Sequence, residues 1–117
     1  MADHGLAVTW GEFKPGRERK ALHLWGDAVA FNDKAVADGR IEGWDAILFE
    51  PSGTVPAGAV RYYGTAEQIG AMAQSADFLG IVERGQQFLS SFGFRRFVIG
   101  QAMADAVTRV PGLVDQL

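Results

Sequence analysis

The 117-residue chain contains no cysteine. That excludes disulfides, thiolate nucleophiles and zinc-thiolate sites together. It fits a reducing compartment, and a cytoplasmic location is expected. Histidine is scarce, with only His4 and His23, so a metal site built on His23 would lack a second nitrogen ligand. No apolar run approaches the roughly 20 residues a membrane span needs. The start, Met1-Ala2-Asp3-His4, lacks the basic beginning and apolar core of a signal peptide. There is also no block of like charge, and the net charge is -3. The densest basic stretch (Lys14, Arg17, Arg19, Lys20) is interrupted by Glu18 and reads as a helix start or solvated loop. A mildly acidic chain without a basic face is a poor nucleic-acid binder. G-x-S-x-G, P-loop and G-x-G-x-x-G signatures are all missing. The expectation is no cofactor, no metal, no nucleic acid and no membrane partner.

What is present is a regular change of period. Leu6 to Phe13 is rich in β-branched and aromatic residues and predicts a strand, broken by Lys14-Pro15-Gly16. Arg17 to Asp38 predicts a helix, with Ala21, Leu24, Trp25, Ala28, Phe31 and Ala35 forming one apolar stripe. Gly26 inside it is a place for close approach to a sheet or ligand, and Gly39 is a stop. Ile41 to Glu50 predicts a second strand, Pro51 to Pro56 a turn segment and Ala57 to Tyr63 a third strand. Thr65, with Gln68 three residues on, opens a short helix that runs to about Gln74. After a break near Ser75 to Asp77, a longer helix continues to about Ser91 and Gly93 ends it. Phe94 to Gln101 is the fourth strand. Ala102 to Arg109 has room for one or two helical turns before Pro111-Gly112, and the last residues are expected to fray or to lie on a partner.

The order β-α-β-β-α-β predicts an α+β, ferredoxin-like single domain over residues 1-117: a four-stranded antiparallel sheet with the helices on one face. A sheet wet on its other side should alternate apolar and polar residues. These strands do not. Ile41, Ile47 and Phe49 fall on one face of the second strand while Trp44, Ala46 and Leu48 fall on the other. At about 25 cal/mol per Å² of apolar area, leaving one such face wet forfeits several kcal/mol. A second copy of the sheet is the simplest cover, so a homodimer is expected.

At this point the chain resembles the dimeric α/β-barrel superfamily, in which two ferredoxin-like sheets pair. The resemblance spans residues 6 to 100 and rests on the element order, the two-faced strands and the helix-break-helix run carrying Phe78-Leu79 and Phe88 before a final strand. It implies a fold, not an activity, because the superfamily includes monooxygenases, isomerases, haem proteins and uncharacterised members. A haem-degrading member would be expected to carry an asparagine on the first strand and a histidine in the second helical region. Here the first strand has Thr9 and Glu12, and residues 66 to 91 contain no histidine.

Two groups of residues are candidates for chemistry. His23, with Asp27 at i+4 and Arg19 at i-4, has the spacing that orients an imidazole as a general base, or alternatively that of a solvent-facing helix pair. Asp45 is the third catalytic candidate, as a carboxylate in a strand built for burial, with Arg61 on the neighbouring strand as a possible partner. Trp10, Trp44 and Phe97 are expected to wall an apolar pocket, with Glu12, Asn32, Arg61 and Tyr63 as its polar groups. The leading reading is a homodimer that binds a small apolar or aromatic molecule. The alternatives are a cofactor-independent monooxygenase or isomerase acting on a phenolic or quinol-like substrate, and a structural module without ligand.

Overall fold

The computed structural model describes residues 2–50 and 56–111. Its elements are β1 (His4–Trp10), α1 (Glu18–Ala37), β2 (Gly43–Leu48), β3 (Gly58–Gly64), α2 (Ala66–Gln74), α3 (Ala76–Phe88), β4 (Gly93–Val98) and α4 (Gly100–Thr108). The sheet runs β2-β3-β1-β4 with every neighbouring pair antiparallel. This is the ferredoxin-like arrangement, with α1, α2 and α3 on one face.

Local signals explain most boundaries. Thr65 and Gln68 form a reciprocal capping box: the Gln68 N–H donates to Thr65 Oγ1 at 3.2 Å and the Thr65 N–H to Gln68 Oε1 at 2.9 Å. Gly39 takes a φ of +75° and stops α1, where the Arg40 N–H turns back to the Ala35 carbonyl. The break at Ser75 is present, but its hydroxyl donates to the Met72 carbonyl at 2.8 Å, closing α2 rather than capping α3.

Other boundaries shift for physical reasons. β1 starts at His4, two residues before the expected Leu6, and the His4 Nδ1 lies 2.9 Å from the Asp3 carboxylate. β1 ends at Trp10 because its partner strand begins at Gly58, directly opposite. From there the chain bonds to the loop after α3: the Gly11 N–H donates to the Ser90 carbonyl and the Glu12 N–H to Ser90 Oγ. Glu12 is therefore an exposed loop residue rather than a strand residue. Ile41 precedes β2 but is fully buried. Gly26 is exposed, and a Cβ built there would meet open space, so it permits no close approach. α3 ends at Phe88, and Gly93 opens β4 instead of closing the helix. The turn expected over 51–56 lies almost wholly outside the described residues, as do residues 112–117.

Pleating sorts the strands into two faces. Leu6, Val8, Trp10, Trp44, Ala46, Val60, Tyr62 and Phe94 share the helix side by register, while Ala7, Thr9, Asp45, Ile47, Ala59, Arg61, Tyr63, Arg95 and Phe97 share the other. Phe78 of α3, fully buried, centres the core and packs edge-to-face on Tyr62 (5.8 Å) and Phe94 (5.2 Å). A smaller cluster of Ala21, Leu24 and Phe88 joins α1 to the end of α3. Two cross-strand glycines lie under aromatic rings, one on each face: a Cβ on Gly5 would come within 1.9 Å of Phe97, and one on Gly58 within 2.7 Å of Trp10. Each glycine makes room for the ring of its directly opposed partner.

α4 is a full helix rather than the expected turn or two, tied at its start by the Ile99 N–H to the Asp3 carbonyl at 2.9 Å. None of its residues is buried, and Met103 and Val107 are exposed. Among the described residues no helix is long and apolar enough to cross a membrane.

Candidate functional site

The two apolar clusters do not meet. Between them, bounded by α1, α3 and the helix side of β1 and β3, lies a cavity of about 590 Å³. Its floor is Val8, Trp10, Val60 and Tyr62. Its walls are Leu24 and Ala28 from α1 and Phe78, Ile81 and Val82 from α3, with Phe92 from the following loop. The opening exists because the helices leave the outer corner of the sheet uncovered: Ala46 is exposed, and Leu48 on edge strand β2 is 79% exposed.

The lining is almost wholly apolar, and Tyr62 in its floor carries a buried hydroxyl. That hydroxyl donates to Asn32 Oδ1 of α1 at 2.5 Å. Burial pushes the Tyr62 phenol above its ordinary range, against the opposing effect of that bond. Asn32 is fully buried, and its Nδ2 has no hydrogen-bond partner among the described residues. One side of the cavity floor therefore rests on an incompletely satisfied polar pair, which costs about 1–3 kcal/mol unless something accepts from it.

On the opposite face of the sheet lies a different constellation. Arg61 Nε and an Nη donate in a fork to the two Asp45 carboxylate oxygens at 2.8 and 2.9 Å, and the Tyr63 hydroxyl adds a third bond at 3.1 Å. Arg61 holds the Asp45 carboxyl below the usual carboxylate range, with Tyr63 contributing in the same direction. Arg95 lies two strands along in the same cross-strand row, and Tyr63 meets Phe97 edge-to-face at 5.7 Å. The expected Asp45–Arg61 pair thus forms.

The residues expected to share one pocket do not share one. Trp10 lines the cavity. Trp44 sits beside it, stacked edge-on against Trp25 at 6.4 Å with its indole N–H donating to Asp33. Phe97, Arg61, Tyr63 and Asp45 lie across the sheet by register, because each falls one pleat away from the cavity-facing positions. The expected His23–Asp27 pair also does not form: Asp27 accepts from Arg84 of α3 at 2.8 Å, and His23 is exposed. An inter-helix guanidinium reaches Asp27 where the i-4 imidazole does not. Among the described residues no three His, Asp or Glu side chains converge as a metal site would require. The sequence reading places Leu22, Leu48 and Ile81 on apolar faces without assigning them to the pocket, and it does not name Phe92 as a lining residue. Leu22 on the edge of the helix stripe and Leu48 on the cavity-facing pleat carried a signal, while Phe92 in a loop carried none.

The Asp45 carboxyl, held low by Arg61, the Asp77 carboxyl, held low by Arg40, and the Asp3 carboxyl, held low by His4, contribute to the acid response in the same direction. A carboxyl whose folded pKa is depressed contributes stability above its unfolded value of about 4, and loses it as pH falls through the folded value. The urea midpoint is expected to hold between pH 7 and about 5 and to fall below about 4. Asp45→Asn should lower the midpoint at pH 7 and flatten part of that decline. An unchanged acid limb in Asp45→Asn would remove Asp45 from the account.

No family model matches the chain, and no curated protein matches it. Among solved structures, the chain is similar to a dimeric protein of unknown function and ferredoxin-like fold from Bacteroides fragilis. The TM-score is 0.58 at 9% sequence identity, covering 82% of this chain and 95% of that one. The protein therefore has the ferredoxin-like fold, in agreement with the topology.

Proposed function

We propose that the protein is a homodimer whose open sheet faces pack together into an α/β barrel, and that each protomer binds a small apolar or aromatic molecule in the cavity between α1, α3 and the sheet. The cavity carries this reading. Its volume of about 590 Å³ lies in the range of small-molecule sites, roughly 300–1,000 Å³. A structural module without ligand would be expected to fill such a space, since an unfilled apolar void forfeits packing.

The open face supports the dimer. Ile47, Tyr63 and Phe97 are half-buried there, the described helices α1, α2 and α3 all lie on the other face, and Asp45 already has three donors arranged around it. An ion pair held this way is suited to losing its water, whereas a wet surface pair contributes little. The similar Bacteroides protein is itself described as dimeric. The enzyme reading receives less support. Asp45 lies across the sheet from the cavity, Asp27 is engaged by Arg84, and His23 is outside the lining.

Two measurements test the proposal. Native mass spectrometry should give twice the 12.6 kDa chain. The uncharged dye N-phenyl-1-naphthylamine should bind with enhanced emission, and Ala28→Phe, which fills the cavity from α1, should weaken that binding at least about tenfold while leaving the dimer mass intact. Equal dye binding by Ala28→Phe would sink the cavity assignment. Oxygen uptake with a hydroquinone panel, if observed, would reinstate the monooxygenase reading.

A further inference from the structure

The mouth of the cavity combines two features. Its rim is made of large apolar side chains that remain in water: Phe13, Leu22 (63% exposed), Trp25 and Leu48 (79% exposed) all line the cavity and all reach the surface. A ligand contained wholly inside would leave these four wet, whereas a chain that continues outward along the rim covers them. The second feature is charge. Between rim residues Phe13 and Leu22 runs the basic stretch of the sequence, with Lys14, Arg17, Arg19 and Lys20 all exposed. Lys14 Nζ donates to the Gln86 carbonyl at 2.6 Å, tying this loop to α3 at the same opening. Among the described residues Arg17, Arg19 and Lys20 form no ion pair. Glu12 and Glu18 offset part of this charge, leaving the segment from 12 to 20 net positive in a chain of net charge -3.

Resting on the cavity reading above, we infer that the occupant is an anionic single-chain amphiphile, with its alkyl body in the cavity and its carboxylate or equivalent head among Arg17, Arg19 and Lys20. The wall supplies almost no polar partner for a head group, so a ligand carrying one must place it at the mouth. The segment that joins rim residues Phe13 and Leu22 is net positive and exposed.

The test uses three ligands of equal chain length and different head: dodecanoate, dodecanol and dodecyltrimethylammonium, each titrated calorimetrically below its micelle threshold into the full-length protein. Dodecanoate is expected to bind at least about fivefold tighter than the ammonium compound, with dodecanol between them, and added salt should shrink the spread. The triple variant R17E/R19E/K20E should invert the order while leaving dodecanol affinity unchanged, which also shows that the variant is folded. Equal affinity for all three ligands overturns the inference and leaves the cavity reading standing. Binding of none of them removes the cavity reading itself. Binding to phosphatidylglycerol vesicles without binding to free dodecanoate also overturns the inference, because the rim would then be a membrane-docking surface.

Discussion

Phe78→Ala is expected to lower the unfolding free energy by about 3–5 kcal/mol, the usual cost of truncating a buried phenylalanine. That is much of the stability of a domain this size. Phe78 is fully buried, and it ties inner strand β3 and edge strand β4 to the helix layer through its edge-to-face contacts with Tyr62 and Phe94. It also forms part of the cavity wall, so the void left by truncation merges with space that is already open. The neighbours have no reason to collapse into it, which places the loss toward the upper end of the range. Urea unfolding followed by far-UV circular dichroism reads the change directly. A loss under about 1 kcal/mol would mean that α3 does not anchor the sheet as described.

The second large effect concerns assembly. Gly5→Ala is expected to weaken the proposed dimer by a factor of about ten to a hundred. A Cβ at this position would lie 1.9 Å from Phe97, so the ring must swing off the sheet, lose its contact with Tyr63 and stand up from a face that has to be flat to pair. The strand itself should tolerate alanine, which orders more cheaply than glycine in a strand. The diagnostic control is the double variant: with Phe97→Ala already in place, adding Gly5→Ala should cost almost nothing. That non-additivity marks two groups in contact. Sedimentation velocity across a concentration series measures both variants. An undisturbed dimer in Gly5→Ala would move the interface elsewhere, with the exposed apolar side of α4 the first alternative surface.

The fold was legible because its signals are local. The stripe through Ala21, Leu24 and Ala35, the Thr65–Gln68 capping box and the Gly39 stop each act within one helical turn, and the element order then leaves few topologies. The failure to alternate in β2 was also legible, and the sheet does carry large apolar groups on both faces, with Asp45, Arg61 and Arg95 among them on the open one. What could not be read was which face each residue joins. Trp10 and Phe97 look alike in sequence, yet the register sends them to opposite sides of the sheet. Asp27 offered His23 at i-4 and took Arg84 from another helix, 57 residues away. The cavity was legible least of all. It depends on α1 and α3 leaving one corner of the sheet bare, a matter of helix placement that no periodicity encodes.

The pleat has a consequence for how this protein can change over evolution. In β1 and β3, each residue facing the cavity is flanked by residues facing the proposed partner: Val8 lies between Ala7 and Thr9, and Tyr62 between Arg61 and Tyr63. Two independent specifications are thus written on the same strands in alternating letters. Substitutions at one set can reshape the cavity while the proposed assembly surface stays as it was, so descendants can diverge in cavity lining while keeping the open face unchanged. Insertions have no such freedom. A single added residue within β1 or β3 exchanges the two sets at a stroke, carrying Arg61 toward the cavity and Tyr62 toward the partner. Relatives of this chain should therefore differ freely in strand composition and hardly at all in strand length.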